Sequence, residues 1–242
     1  MFKFLQPAPH IPRLPNKEID AEYKLMRFKV FAGIFIGYAG YYLVRKNFSL
    51  IKPDLIEMGW DKGELGYIGA ALSIAYGISK FVMGNVSDRS NPKIFLSLGL
   101  GASALIMAVW GLADWAFTSL ALMIVLNFLN GWVQGMGWPA CGRTLAHWYS
   151  QSERGTVISF WNVAHNVGGA LLPILAVWGM ALFSNDWKSA LYFPAAIALI
   201  VAIVIYFLME DTPQSCGLPT IEEHNKDFSG GLKQVEHELS AA

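Results

Sequence analysis

The chain has 242 residues, of which 54% are apolar and only 15% charged, and its 18 basic and 18 acidic side chains cancel. A soluble domain averages about 25% charged residues, so this balance excludes a disordered or low-complexity chain. The zero net charge leaves no basic footprint for nucleic acid. Cys141 and Cys216 are too few for a disulfide framework or a zinc site.

In chain order, residues 1–27 form a polar arm. Pro7, Pro9, Pro12 and Pro15 precede any apolar stretch, so the arm has no signal-peptide core and leads into an interfacial helix. Six apolar runs follow: Phe28–Leu50, Glu64–Val86, Ile94–Leu112, Ser119–Cys141, Val157–Leu182 and Ala190–Met209. About 20 residues suffice for a helix to cross the hydrocarbon core. No alternating pattern suggests a barrel strand. The expected fold is an all-α membrane protein with six transmembrane helices over residues 28–209, embedded in a lipid bilayer. Residues 210–242 read as a solvated acidic linker or tail. From Asp211 onward the tail holds six acids and two lysines, and Pro213 helps to stop the last helix.

Lysine and arginine set the orientation. The first 29 residues hold six, Lys3, Arg13, Lys17, Lys24, Arg27 and Lys29, and Arg89, Lys93, Arg143, Arg154, Lys226 and Lys233 follow on the same side, which makes twelve. The opposite side has three, Lys52, Lys62 and Lys188. Both termini are expected in the cytoplasm.

Charges inside the spans cost about 2.5–3.5 kcal/mol each at the bilayer centre. Arg45 falls in the first run, Lys80 in the second, and His165 in the fifth. Snorkelling would explain Arg45 or Lys80, and ordinary packing would explain a lone histidine. Their neighbours favour a site. Positions four and seven apart share a helix face. Tyr38, Tyr42 and Arg45 form one such set, and Ser73, Tyr76 and Lys80 another. Asn127, Asn130, Gln134 and Trp138 form a polar stripe, and Trp161, Asn162 and His165 a cluster. Each could be a hydrogen-bonded packing stripe, but four of them suggest one hydrated, cationic cavity. No span interior carries an acid to neutralise it. Arginine's planar fork matches phosphate oxygens, so a small anion is the expected ligand. Lys46 points off the Arg45 face. No phosphate-cradling loop or metal-ligand spacing is present, so neither an enzyme, a cofactor nor a metal is expected.

Several segments carry a resemblance. Gly84, Asp88 and Arg89 sit in a loop that resembles the conserved loop of the major facilitator superfamily, with Asn91 and Pro92 in place of the usual Gly and Arg. Arg154-Gly155, Trp161-Asn162 and His165-Asn166-Val167-Gly168-Gly169 resemble the signature of its organophosphate:phosphate antiporter family. So does Tyr41-Tyr42-Leu43-Val44-Arg45-Lys46-Asn47-Phe48. Ser87–Pro92, Gln134–Pro139 and Asp211–Pro219 are similar to the glycerol-phosphate members.

The resemblance implies exchange of sn-glycerol 3-phosphate for inorganic phosphate by alternating access, in the inner membrane of a bacterium. It implies that Arg45 binds phosphate and that Lys80 and His165 contribute to the anion site, with His165 a candidate for protonation-linked binding. Tyr38, Tyr42, Tyr76, Trp138, Trp161 and Asn162 would line the cavity, with Lys46 nearby. Gly84, Asp88, Arg89, Arg143 and Arg154 would form a loop network that stabilises one access state. The family has twelve spans in two halves, so this chain would be the N-terminal half, a 3+3 inverted repeat. A C-terminal six-helix half would supply a second arginine. A transporter-like organophosphate sensor and a non-transporting fragment are the competing readings.

Overall fold

A computed structural model describes residues 3–227, and Lys233, Glu236 and Glu238 of the expected tail lie outside them. Ten α-helices run in order among the described residues. They are α1 (Asn16–Leu43), the short α2 (Asn47–Leu50) and α3 (Lys52–Glu57), α4 (Lys62–Asp88), α5 (Pro92–Leu112), α6 (Leu120–Gln134), α7 (Gly137–Trp148), α8 (Gln151–Leu182), α9 (Ser189–Leu208) and the short α10 (Ile221–Asn225).

Local chemistry sets the starts. Asp61 and Glu64 form a capping box that satisfies orphan N–H groups of α4. Asn91 accepts the Lys93 N–H at 3.0 Å, and Pro92 follows at the first position of α5. Ser150 and Glu153 box the start of α8.

Five helical stretches are long and apolar enough to cross a membrane: Lys62–Asp88, Pro92–Leu112, Leu120–Trp148, Gln151–Leu182 and Ser189–Leu208. The first helix is not among them. It ends at Leu43, so any membrane-length window within it takes in Arg27 and Lys29, which lower its hydropathy.

Two expected runs are not single helices. Phe28–Leu50 breaks at residues 44–46, where Val44 (φ −125°, ψ 13°) and Lys46 (φ −111°, ψ 11°) leave helical geometry. Arg45 therefore lies on the break, not inside a helix. Ser119–Cys141 breaks at Gly135-Met136, between α6 and α7.

Helix α4 packs on α6, α1 on α8 and α9, and α5 on α9. Two glycines set the closest approaches. A methyl group on Gly131 of α6 would collide with the Leu72 carbonyl of α4, and one on Gly168 of α8 with the Ala39 carbonyl of α1. Small residues at such crossings let backbones approach without lost packing.

The segment after α9 is not a solvated tail over its described part. Asp211, Leu218 and Ile221 are buried. The arm lies against it. The Ala8 N–H donates to Asp211 Oδ2 at 2.7 Å, the Leu14 N–H to the Gly217 carbonyl at 2.8 Å, and the Tyr23 hydroxyl to the Pro219 carbonyl at 3.0 Å. Hydrogen bonds from the arm and the buried blocks at 211–213 and 217–219 make this a mutual strap, which composition alone did not reveal.

Two glycines on α8 give a paired prediction. Gly168→Ala must part α8 from α1 and should destabilise by about 1–3 kcal/mol, the usual range for overpacking. Gly155→Ala meets open space and should be neutral or stabilise by up to about 1 kcal/mol through helix propensity. Thermal unfolding of the detergent-solubilised chain, followed by circular dichroism, measures both.

Candidate functional site

Arg45 is 9% exposed and its guanidinium is gripped by two rings. Its Cζ lies 4.3 Å from the Tyr42 ring centroid and 4.6 Å from that of Tyr76. Cation–π contact of this kind strengthens when water is excluded. Nε donates to Gln134 Oε1 at 2.8 Å. Nη2 is buried and has no hydrogen-bond partner. Lys80 reaches the same Tyr76 ring, its Nζ 4.7 Å from the centroid. The two cationic groups therefore lie within 9.3 Å of each other. Neither makes an ion pair among the described residues. At an effective dielectric of about 20, two unit charges at that separation repel by about 2 kcal/mol. A bound anion would remove that repulsion and fill the vacant donor.

The other expected residues divide. Tyr38 is buried, with its ring 5.6 Å from Tyr42 and 4.7 Å from Trp161. His165 is half-buried and faces Tyr42 at 5.6 Å. Trp138 is 48% exposed and lies 6.5 Å from Trp161. Trp161 itself is buried, and its Nε1–H donates to the Ile34 carbonyl at 3.2 Å. It fixes α8 to α1 and presents no donor to a cavity. Asn162 is exposed, with no hydrogen bond among the described residues. Lys80 and Trp138 share a cavity of about 730 Å³ that runs to Gly84, Asp88 and Arg143. Lys46 is exposed and lines a separate cavity of about 380 Å³ with Tyr42, His165 and Asn166. The structure thus joins Arg45, Lys80, Tyr42, Tyr76, Tyr38 and His165 through ring contacts, and leaves Lys46 and Asn162 to the side.

The polar stripe of the fourth run does not line a cavity. Asn127, Asn130 and Gln134 are buried between helices. Asn127 donates to the Ile68 carbonyl at 2.8 Å, and Asn130 to the Val44 carbonyl at 2.9 Å. The i, i+3, i+7 spacing announced the stripe, and only the packing shows which way it faces. Ser103, which joins this cluster through Asn130 and Gln134, gave no signal within a run of small residues.

The expected loop network takes another form. Arg143 pairs with Asp211 at 3.2 Å, and Asp211 is fully buried. Arg154 donates to the Tyr149 and Ala146 carbonyls, which closes the end of α7. Asp88 and Arg89 are exposed and make no ion pair among the described residues. Arg27 pairs with Glu153 at 2.6 Å and stacks on Tyr149 at 4.5 Å. Burial pushes the Tyr149 phenol up to about 12, against the opposing pull of Arg27.

Long apolar helices of this number define a multi-pass membrane protein, with the buried Arg45 and the exposed Lys80 meeting on one tyrosine ring. The chain belongs to the Major Facilitator Superfamily, whose sequence profile matches residues 34–238. It is 54% identical over 241 residues to the glycerol-3-phosphate transporter of Bacillus subtilis, covering 99% of this chain and 54% of that protein. It is 51% identical to the glycerol-3-phosphate transporter of Haemophilus influenzae, covering 100% of this chain and 53% of that protein. The chain spans about half the length of the curated relatives it matches. In fold it is similar to a bacterial homolog of the human lysosomal transporter Spinster, solved in an inward-facing and unoccupied conformation. That likeness has a TM-score of 0.64 at 16% identity, over 78% of this chain and 44% of the other.

The buried pair at the basic end yields a prediction. Asp211→Asn strands Arg143 without a counter-charge and should cost about 3–5 kcal/mol. Adding Arg143→Met should recover most of that loss. Urea unfolding of the single and double variants reads the difference, and equal stabilities would show the pair to be idle.

Proposed function

We propose that this chain is the N-terminal, six-span half of a bacterial inner-membrane antiporter that exchanges sn-glycerol 3-phosphate for inorganic phosphate by alternating access. The observation that carries the reading is the vacant, buried Nη2 of Arg45 beside Lys80, with no acid to neutralise either. The glycerol-3-phosphate transporters among its relatives favour the substrate. Arg45 offers a fork to the phosphate and Lys80 a point charge, while Tyr38, Tyr42 and Tyr76 shape the walls and His165 adjoins them.

In this reading α1 is the remaining span, and α6 with α7 makes a single one. The six then form a 3+3 inverted repeat over residues 28–209, between the arm at 1–27 and the linker at 210–242. The basic end faces the cytoplasm by the lysine and arginine bias. A second six-helix half completes the anion site and allows the rocking motion. Gly84, Asp88, Arg89, Arg143 and Arg154 then sit at the cytoplasmic end, where access closes.

Arg45→Lys keeps the charge and loses the fork. In proteoliposomes containing both halves it should lower phosphate exchange at least ~10-fold, the equivalent of one lost charge-assisted hydrogen bond. Undiminished exchange would remove Arg45 from the site.

A further inference from the structure

We propose that Gln134, held by Ser103 and Asn130, is the positioning residue that aims the Arg45 guanidinium. This rests on the anion-site reading above and adds to it the device that orients the site.

The geometry forms one directed chain of hydrogen bonds. Arg45 Nε donates to Gln134 Oε1 at 2.8 Å. Gln134 Nε2 donates to Ser103 Oγ at 2.7 Å and to the Tyr41 carbonyl at 3.2 Å. The Ser103 hydroxyl donates to Asn130 Oδ1. Asn130 Nδ2 donates to the Val44 carbonyl at 2.9 Å. Ser103, Asn130 and Gln134 are each 0% exposed, so water cannot substitute for any partner.

The donor and acceptor inventory permits a single orientation. Tyr41 offers only a carbonyl, so the Gln134 amide must turn its nitrogen there and its oxygen towards Arg45. Flipping the amide would set N–H against N–H and leave a buried carbonyl facing another. Ser103 reinforces the choice, because its proton is committed to Asn130 and only its lone pairs face Gln134.

This arrangement does two things at once. It bonds carbonyls at the end of α1, where the Tyr41 carbonyl otherwise keeps only a 3.4 Å bond from the Val44 N–H. It also ties one edge of the guanidinium to α6. With Nε bonded and the Tyr42 and Tyr76 rings within 4.6 Å of Cζ, the group is restrained. Nη2 then stays in place as a buried donor without a partner among the described residues. A pre-set donor binds an anion without losing rotamer freedom on binding.

The test uses inorganic phosphate as the probe, bound in nanodiscs to the purified full chain assembled with its C-terminal six-helix half. Two Gln134 variants, one Ser103 variant and an Arg45 control are compared. Arg45→Ala should abolish the binding seen with the unmodified chain. Gln134→Leu should weaken phosphate at least ~10-fold, with the same ratio to the unmodified chain at every pH. Gln134→Glu is nearly isosteric and sets a carboxylate against Arg45, which competes with phosphate. Its ratio should be low at neutral pH and climb towards 1 as pH falls and the introduced carboxyl takes up a proton. Arg45 is the charged group in contact with that position. Lys80 lies beyond Tyr76, and the Tyr41 hydroxyl is committed to the Leu96 carbonyl. Ser103→Ala should weaken phosphate by a smaller factor with helix content intact. A merely structural role would give the two Gln134 variants the same flat pH ratio, and that result overturns the proposal. Unchanged affinity in both variants, with Arg45-dependent binding retained by the unmodified chain, also overturns it while leaving the site reading in place. Absence of Arg45-dependent binding in the unmodified chain overturns the site reading and this proposal together.

Discussion

A guanidinium taken out of water brings five N–H donors with it, and each must find an acceptor or stay costly. At Arg45 the protein meets this constraint only in part. Gln134 takes Nε, two tyrosine rings lie against the group, and Nη2 is left buried without a partner among the described residues. Much of the surrounding structure follows from holding that group still. The first helix ends at Leu43 so that the backbone can deliver Arg45 sideways, and the amides of α6 take over the carbonyls that the ending exposes. A continuous helix would have kept those carbonyls for itself and taken the Val44 acceptor from Asn130 and the Tyr41 acceptor from Gln134.

Holding the group still also requires the helices around it to approach closely. Gly168 lets α8 lie on the Ala39–Tyr42 stretch of α1, just before the break. Gly131 lets α6 lie on α4, one turn from the residues that bond to the end of α1. Both crossings are backbone against backbone, so the rings of Tyr42 and Tyr76 are placed by main-chain contact and not by adaptable side chains. Rigid placement matters because aromatic and cation–π contacts depend on ring position.

Most of the helices were legible in the sequence, and the reasons are physical. Hydrophobic length is a one-dimensional property, so the runs beginning at Glu64, Ile94, Val157 and Ala190 match α4, α5, α8 and α9 to within a few residues, apart from the capped first turns of α8. The breaks at Val44–Lys46 and Gly135-Met136 were not legible, because they depend on partners from other helices. For the same reason the stripe Asn127, Asn130 and Gln134 was visible while its direction was not. A polar helix face can meet water or another backbone, and periodicity is identical in the two cases. Arg45, Lys80 and Tyr76 stood out because charge in an apolar run is costly wherever it points. Ser103 and Tyr41 did not, since a small hydroxyl and an aromatic ring are ordinary in such helices.

Two buried arginines in this bundle are treated in opposite ways, and the contrast bears on function. Arg143 is 9% exposed at its side chain and is met by a fully buried carboxylate, Asp211. That acid is itself fixed by the Ala8 N–H, and its carbonyl accepts from Trp148 Nε1 at 3.1 Å. The sequence places an acid there, and the result is a charge-compensated joint between the arm, α7 and the segment after α9, although Arg143 Nη1 still lacks a hydrogen-bond partner among the described residues. Arg45 is equally buried and receives no acid. A fold that could place Asp211 opposite one arginine was able to place a carboxylate opposite the other. The neutral Gln134 in that position satisfies one donor while leaving the charge uncompensated. A carboxylate there would stabilise the empty bundle and occupy the donor that an anionic ligand needs. On the proposed reading, the choice of an amide over an acid is therefore the residue-level difference between a joint and a site.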